Sequence, residues 1–233
     1  MTAITAVAAI VPAAGYGSRM QHDKPKQYLR LAGQEILLHT LTALLTDPRI
    51  KHVFIAVAGD DPWYQSLEFP AHWPLTRVAG GHCRAASVAA GVAAAAAAGY
   101  SHVVVHDAAR PCLRTDDLER VISAGLSSEA GALLALPVDD TLKRADATDN
   151  SEATLDRSQL WRAMTPQVFA TNILQRALQQ IGVDDPGLTD EASAVERCGY
   201  KPKLIAGSAT NIKVTRPADL ELARLYLELS REQ

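Results

Sequence analysis

Five short apolar runs recur along the 233-residue chain, and segments with helical character separate them. The runs, rich in valine, isoleucine and alanine, lie at residues 6–11, 53–57, 76–79, 103–105 and 132–136. Strands with continuous rather than alternating apolar residues are typical of a parallel sheet covered on both faces. Helical spacing or strong helix formers follow at residues 36–45, 84–98 and 115–124. The alternation predicts an α/β fold with a mostly parallel sheet.

The second half of the chain continues this pattern with one interruption. The remaining predicted elements are helices at 172–180, at 189–199 and from Pro217 onward, and a strand at 203–206. Residues 139–160 break the alternation, because they are rich in Asp, Thr, Lys and Arg. An unstructured connection of about twenty residues is uncommon in a compact domain. A projecting β-arm accounts for the polarity of this segment.

The composition narrows the class of protein. At 48% hydrophobic residues the chain can bury a core, and no linker divides residues 1–233, so we expect one domain. A net charge of −3 argues against a nucleic-acid binder, which is normally basic. No apolar run approaches the roughly 18–20 residues that span a bilayer. The three cysteines and seven histidines are scattered, without zinc-binding spacing. We therefore expect a cytoplasmic protein that binds neither nucleic acid nor membrane and uses neither histidine catalysis nor zinc.

The loop after the first strand has the composition of an anion site. Gly15 and Gly17 let the backbone approach phosphate groups, and Arg19 and Lys26 add positive charge. The third glycine of the dinucleotide fingerprint is missing, because Met20 stands there, and the chain has no Walker-type loop. The pattern predicts a polyanionic ligand and disfavours both a dehydrogenase and a Walker-type ATPase.

Polar stretches also follow three other predicted strands. Together with the first loop they lie at residues 12–19, 80–84, 107–110 and 138–143. We expect them to cluster, because ligands bind where the carboxyl ends of parallel strands meet. Asp107 is suited to hold Mg²⁺ or a ribose hydroxyl, or only to form a turn. Arg110 is suited to an anionic substrate or a salt bridge. Gly80 and Gly81, with Ser87 in the next helix, permit close approach to a base or form a plain tight turn.

Five motifs span residues 11–217. They are Pro12-Ala13-Ala14-Gly15-Tyr16-Gly17-Ser18-Arg19-Met20, Pro25-Lys26-Gln27-Tyr28, Val105-His106-Asp107-Ala108-Ala109-Arg110-Pro111, Thr189-Asp190-Glu191-Ala192 and Asn211-Ile212-Lys213-Val214-Thr215-Arg216-Pro217. Together they resemble the 2-C-methyl-D-erythritol 4-phosphate cytidylyltransferase family. The first motif alone is shared with sugar-phosphate nucleotidylyltransferases generally, and the later motifs are more specific. The resemblance implies a Rossmann-like three-layer nucleotidyltransferase fold and a role in isoprenoid precursor biosynthesis.

The resemblance also implies a reaction and a site. CMP would pass from CTP to 2-C-methyl-D-erythritol 4-phosphate, with release of pyrophosphate and with Mg²⁺ or another divalent cation near Asp107. The nucleotide would contact Ala13, Ala14, Gly15, Gly80, Gly81, Ser87 and Asp107. The acceptor would contact Arg110, Thr141, Arg157, Thr165 and Lys213. Arg19 and Lys26 on the nucleotide side, with Arg157 and Lys213 on the acceptor side, would be catalytic. A homodimer would exchange the arm at 139–160, so that Thr141 and Arg157 act in trans.

The chemistry of this reaction agrees with the residues present. The attacking group is a phosphate whose second pKa is near 6, so no general base is required. Catalysis would rest on positioning and charge neutralisation.

Two alternatives and one departure from the family pattern stay open. Another nucleotidylyltransferase, using a ribitol phosphate or a sugar 1-phosphate, would share the first loop. A nucleotide sensor without turnover would also share it, although it would more readily have lost Lys26 or Lys213. His82 and Cys83 stand where the family usually has an acidic residue. Side-chain contacts from that loop to the ribose or base therefore stay open.

Overall fold

A computed structural model describes residues 5–15, 20 and 23–231 of the chain. The strands in the described part are β1 (Val7–Pro12), β2 (Arg30–Leu31), β3 (Gln34–Glu35), β4 (Ile50–Val57), β5 (Leu75–Ala79), β6 (His102–Val105), β7 (Ala132–Pro137), β8 (Leu142–Ala145), β9 (Ser151–Leu155), β10 (Trp161–Ala170) and β11 (Lys203–Ala206). The α-helices there are α1 (Ile36–Leu44), α2 (Pro62–Gln65), α3 (Arg84–Ala97), α4 (Thr115–Leu126), α5 (Thr171–Ile181), α6 (Glu191–Arg197) and α7 (Pro217–Arg231), and Lys26–Tyr28 form a 3₁₀ helix. Within the described ranges, no helix is both long and apolar enough to cross a membrane.

Seven strands form one central sheet in the order β11-β7-β10-β6-β1-β4-β5. The pairs β1–β4, β1–β6, β4–β5 and β7–β11 are parallel. The strand β10 runs antiparallel to both of its neighbours, β6 and β7. The sheet is therefore mostly parallel, as predicted, with one antiparallel strand inside it.

The central strands are apolar throughout because helices cover both faces of the sheet. On β1, Val7, Ala9 and Val11 pack into a core with residues of α1 and α4. Ala8 and Ile10 point to the other face, into a core with residues of α3, α5 and α6. These two cores confirm the predicted three-layer arrangement and explain the absence of an alternating pattern.

The predicted elements lie close to the observed ones, but the short β2–β3 pair, the helix α2 and the strand β10 were not predicted. The helix α3 and the strand β11 match their predicted ranges to within one residue, and β4 begins three residues earlier than predicted. Gly99, the predicted end of α3, adopts a φ of +81°. The strand β10 was not predicted, because Arg162, Pro166 and Gln167 interrupt its apolar character. Its second half is nevertheless buried between β6 and β7.

The polar segment 139–160 contains a two-stranded antiparallel hairpin, β8–β9. The hairpin is separate from the central sheet, and most of its residues are exposed. The predicted β-arm thus has strand structure. Its part in dimerisation stays a prediction.

Gly91 marks a close contact between α3 and the sheet, and we predict that Gly91→Ala destabilises the protein. A Cβ at Gly91 would lie 2.4 Å from Cγ2 of the fully buried Ile10. The gain in helix propensity is about 1 kcal/mol, and overpacking at this distance outweighs it, so we expect a net loss of about 2 kcal/mol. Thermal unfolding should show a melting temperature lower by about 4–8 °C. Gly59→Ala is the control, because a Cβ there meets nothing within 4 Å. Equal melting temperatures for the two variants would contradict this packing argument.

Candidate active site

A cleft of about 310 Å³ opens at the carboxyl ends of β1 and β6 and at the amino end of α3. We call it the first cleft. Its lining includes residues 12–15, 26–27, 81–84 and 107–109, together with Ser87 and Lys213. Three of the four polar stretches that were expected to cluster therefore do so in their described parts. The fourth, 138–143, leads into the β8–β9 hairpin and lines neither this cleft nor the one beside it.

Hydrogen bonds from the Gln27 side chain and from the backbone hold the loop after β1 in place. The side-chain amide of Gln27 donates to the carbonyl oxygens of Ala13 at 2.6 Å and Gly15 at 3.1 Å. The N–H of Ala13 donates to the oxygen of Ala56 on β4 at 2.7 Å. Gln27 belongs to the Pro25-Lys26-Gln27-Tyr28 motif, but the sequence alone predicted no role for it. Its side chain fixes the loop whose backbone was predicted to bind the nucleotide.

The glycines after β5 are required by close packing. A Cβ at Gly80 would lie 2.6 Å from the Cβ of Ala14, and one at Gly81 would lie 2.3 Å from the Cβ of Ala86. The N–H of Gly81 donates to Ser87 Oγ at 3.1 Å. These contacts pack the loop after β5 against the loop after β1 and the start of α3, whatever ligand is bound.

The first cleft has a positive electrostatic character. Lys26, Arg84 and Lys213 line it, and Asp107 is the one carboxylate among its described lining residues. The amino end of α3 also faces it, and the helix dipole favours a bound anion there. A polyanion such as a triphosphate suits this environment.

Asp107 is the centre of an ion-pair network. Its Oδ1 lies 3.0 Å from Arg84 Nε, and its Oδ2 lies 3.3 Å from Arg110 Nε and 3.0 Å from Lys213 Nζ. The side chain is only 8% exposed. Burial by itself would raise the pKa of Asp107, but the cations Arg84, Lys213 and Arg110 outweigh it and hold the pKa well below its usual range. Asp107 is therefore a fixed negative charge that positions three cations.

Arg84 is held from its other side by Glu191. The guanidinium Nη1 lies 2.6 Å from Glu191 Oε1, and the carboxylate is 2% exposed. Burial would lower the pKa of Arg84, yet Glu191 and Asp107 together raise it, so the guanidinium stays charged. Sequence reasoning assigned neither Arg84 nor Glu191 to the site. The Thr189-Asp190-Glu191 motif was the signal that could have pointed to Glu191.

A second cleft of about 260 Å³ adjoins the first and shares Arg84, Asp107 and Lys213 with it. Arg110 and Thr165, two of the predicted acceptor residues, line the second cleft only. Three of the five predicted acceptor residues thus come together, with Lys213 between the two clefts. The shared wall of two cations and one carboxylate separates two spaces that each suit an anion.

His106 is a structural residue at the back of the second cleft. Its Nδ1 is hydrogen-bonded with Thr165 Oγ1 at 2.9 Å, and its Nε2 with the Arg110 oxygen at 3.2 Å. Burial lowers the pKa of His106 to about 4, so the ring is neutral near pH 7. The N–H of Asp107 donates to the same Thr165 Oγ1 at 3.0 Å. His106 therefore orients Thr165 and Arg110.

The segment around Lys213 is hydrogen-bonded to the side chain of Lys26 and to the loop after β6. Lys26 Nζ donates to the Val214 oxygen at 2.8 Å, and the Val214 N–H donates to the Ala109 oxygen at 2.8 Å. Asn211 Nδ2 donates to the Thr165 oxygen at 2.8 Å. Lys26 and Lys213, which lie far apart in the sequence, are thereby placed in one cleft.

The remaining predicted residues divide into three groups. Of the nucleotide-binding set, Ala13, Ala14, Gly15, Gly81, Ser87 and Asp107 line the first cleft, and Gly80 adjoins it. Thr141 and Arg157 line neither cleft, and the Arg157 guanidinium donates to the backbone oxygens of Val138 and Asp139. Arg19 lies outside the described residues.

The donor groups fit a magnesium ion that is held mainly by its nucleotide. Mg²⁺ is usually bound through one or two carboxylates plus substrate phosphates. Asp107 supplies one carboxylate in the first cleft, and cations already engage both of its oxygens. A closed protein cage is therefore absent among the described residues of this cleft, and a triphosphate would have to supply most of the ligands.

A Rossmann-like sheet whose strand ends open into a cationic cleft, with a second cleft lined by cations beside it, is typical of a nucleotidyltransferase. The sequence profile of the 2-C-methyl-D-erythritol 4-phosphate cytidylyltransferase family matches residues 7–229. The chain belongs to this family, and the resemblance noted in its motifs is confirmed.

Individual relatives agree with the family assignment. The chain is 50% identical over 222 residues to the 2-C-methyl-D-erythritol 4-phosphate cytidylyltransferase of Escherichia coli strain K12 / DH10B, across 95% of this chain and 93% of the relative. The crystal structure of the Francisella tularensis enzyme of that name superposes with a TM-score of 0.82 at 31% identity, covering 95% and 99% of the two chains. For the Thermus thermophilus enzyme the TM-score is 0.78 at 30% identity, covering 96% and 99%. These structures confirm the predicted fold class.

Proposed function

We propose that this chain transfers CMP from CTP to 2-C-methyl-D-erythritol 4-phosphate, forming 4-diphosphocytidyl-2-C-methyl-D-erythritol and pyrophosphate. The family assignment supports this reaction. The observation that carries it is the shared wall of the two clefts, where Arg84, Asp107 and Lys213 face both spaces. A triphosphate on one side and a phosphate monoester on the other would meet at this wall.

CTP binds in the first cleft under this proposal. The backbone of residues 13–15, Gly81 and Ser87 hold the cytidine, and Lys26 lies beside the phosphates. Arg19, which is outside the described residues, keeps the predicted role of neutralising phosphate charge. The positive end of α3 adds to the attraction. Mg²⁺, bound to Asp107 and the triphosphate, would supply further neutralisation of phosphate charge.

The acceptor phosphate binds in the second cleft, between Arg110, Thr165 and Lys213. Arg110 offers a guanidinium and Lys213 an ammonium to one phosphate, which is a typical cationic pair for an anion, and Thr165, whose hydroxyl donates to His106 Nδ1, lines the same cleft. Lys213 is 36% exposed and lines both clefts, so its ammonium can contact the acceptor phosphate and the α-phosphate together.

The bond changes need no proton transfer. One oxygen of the acceptor phosphate, largely dianionic at pH 7, forms a bond to the α-phosphorus of CTP. The bond from that phosphorus to the α–β bridging oxygen breaks, and pyrophosphate leaves with the electron pair. The obstacle is repulsion between two polyanions, and the cations on both sides of the reacting phosphorus lower it. The neutral His106 positions groups and takes no part in proton transfer.

A pyrophosphate-release assay tests the reaction. With Mg²⁺ and 2-C-methyl-D-erythritol 4-phosphate, we expect turnover with CTP that exceeds turnover with UTP or ATP by at least about tenfold. Removal of the metal with a chelator should abolish turnover. Faster turnover with a ribitol phosphate or a sugar 1-phosphate would assign a different acceptor. CTP binding without pyrophosphate release would favour a nucleotide sensor.

We further propose that the chain works in the cytoplasm as a homodimer in which the β8–β9 hairpin reaches the partner's site. Within one chain, Arg157 is exposed and lines neither cleft. Leu160 and Trp161, beside the hairpin, are 39% and 38% exposed. An exposed cation and apolar side chains at the base of a polar arm are consistent with a subunit contact.

Mixed dimers test the exchange of arms. We expect Arg157→Ala and Lys26→Ala to be nearly inactive alone. Their equimolar mixture should recover about a quarter of wild-type activity, because half of the dimers are mixed and one of their two sites is intact. The control is a mixture of Lys26→Ala with Lys213→Ala, which should recover nothing because both residues belong to one subunit's cleft. Absence of recovery in proven mixed dimers of the first pair would place Arg157 in cis.

A further inference from the structure

Three side chains that can ligate a transition metal meet at the mouth of the first cleft. His82 and Cys83 precede α3, and Asp184 lies in the turn after α5. One His nitrogen, the Cys sulfur and one carboxylate oxygen all lie within 4.8 Å of one another. His82 Nε2 contacts Asp184 Oδ1 at 2.5 Å, although the two residues are 102 positions apart. A local sequence motif cannot predict a contact between residues so far apart in the chain.

We propose that His82, Cys83 and Asp184 form a binding site for Zn²⁺. A thiolate, an imidazole and a carboxylate are zinc ligands, and zinc sites with three protein ligands keep a fourth position for water. The sulfur and nitrogen donors select against Mg²⁺, which requires oxygen ligands. The site is thus chemically distinct from the magnesium proposed at Asp107.

The geometry allows a metal to enter with side-chain rotation alone. In a tetrahedral site with bonds of about 2.0–2.3 Å, two ligand atoms lie about 3.5 Å apart. The present separations are of this order: His82 and Asp184 are 2.5 Å apart, and all three ligand atoms lie within 4.8 Å of one another. The side chains of His82 and Asp184 are 66% and 77% exposed, so little packing opposes their adjustment.

The sulfur of Cys83 lies between α3 and the turn that contains Asp184, where it donates to the Val183 oxygen at 3.4 Å. Cys83 is the N-terminal cap of α3, and its sulfur accepts a hydrogen bond from the Ala86 N–H at 3.3 Å. A thiolate there lies at the positive end of the helix dipole. Its charge and that of Asp184 together balance Zn²⁺. The bound metal would join residues 81–84, which line the first cleft, to the turn that follows α5.

Cobalt substitution tests the site without any activity measurement. Co²⁺ added to the wild-type protein should produce a thiolate-to-cobalt charge-transfer band with a stoichiometry of one, and Zn²⁺ should displace it. Cys83→Ser should abolish the band and weaken zinc binding by at least about 100-fold. Cys198→Ser is the matched control, because Cys198 is also a partly buried free thiol and lies outside the cluster. Its band and affinity should equal those of the wild type. A missing band in the wild type, or one lost only in Cys198→Ser, would overturn the proposal.

Thermal unfolding provides a second readout. Zn²⁺ at about 100 times its dissociation constant should raise the melting temperature of the wild type by about 5–11 °C. His82→Ala and Asp184→Asn, checked for native circular dichroism without metal, should show no such rise. An equal rise in wild type and both variants would also overturn the proposal, because zinc would then bind elsewhere.

Discussion

Lys26→Ala is expected to lower kcat by at least about 10²-fold, the loss typical of one preorganised transition-state charge. Lys26 lines the first cleft, and its ammonium donates to the Val214 oxygen beside Lys213. The backbone contact holds this charge at the nucleotide side of the shared wall. Charge accumulates on the phosphates as the α–β bond breaks, so loss of the ammonium should act on the chemical step more than on binding.

Steady-state pyrophosphate release at saturating CTP and acceptor measures this effect. The control is Lys24→Ala, since Lys24 is close in sequence but does not line the first cleft. Its kcat should stay within about threefold of wild type, as surface charges at some distance contribute little. Near-normal turnover of a correctly folded Lys26→Ala protein would remove Lys26 from the proposed mechanism.

Asp107→Asn should destabilise the protein by on the order of 3 kcal/mol and greatly reduce kcat/KM. The substitution leaves Arg84, Arg110 and Lys213 without their shared counter-charge, and removal of one partner from a buried ionic cluster is strongly destabilising. Repulsion among the cations should also displace them from the two clefts. At pH 7 the melting temperature should fall by about 6–12 °C.

The effect of Asp107→Asn should depend on pH in a defined direction. The folded-state pKa of Asp107 lies well below its unfolded value of about 3.9, so its stabilisation is fully present above about pH 5. As the pH falls further, the unfolded chain takes up a proton that the native state does not, and this stabilisation declines. Denaturant unfolding should therefore show that the difference in free energy of unfolding between the wild type and Asp107→Asn becomes smaller from pH 7 to pH 3.

The exposed Asp60 is the matched control for this series. Asp60→Asn should unfold with the wild type at each pH, within about 0.5 kcal/mol. If the free energies of unfolding of the wild type and Asp107→Asn differ by the same amount down to pH 3, the Asp107 carboxylate lacks the strong native-state stabilisation described above.

Apolar runs and strand ends were predictable because their signals are local. Val7–Val11 and Val103–Val105 are apolar at every position, which happens only when both faces of a strand are buried. Parallel strands end at one edge, so the loops containing Gly15 and Asp107 had to approach each other. The motifs then predicted the family, which the comparisons confirmed.

The strand β10 shows where local signals fail. Gln167 is polar, yet it is 1% exposed in the middle of the sheet. Its amide donates to Asp190 Oδ2 at 2.8 Å and its carbonyl accepts from the Ala192 N–H at 2.8 Å. Hydrogen bonds to the start of α6 thus make burial of a polar side chain tolerable. A pattern of hydrophobicity along one segment contains no information about such distant partners.

The amino-acid sequence alone determined the α/β class, the anion-binding character of the loop after β1 and the cations available to that loop. Tertiary structure alone decided that Arg84 pairs with Glu191, 107 positions away, and that Asp107 gathers three cations between two clefts. It also placed His82 and Cys83 against Asp184, where scattered residues had predicted no zinc site. Secondary structure and loop composition follow from neighbours in sequence, whereas charge pairing and metal geometry depend on distances that only the folded chain sets.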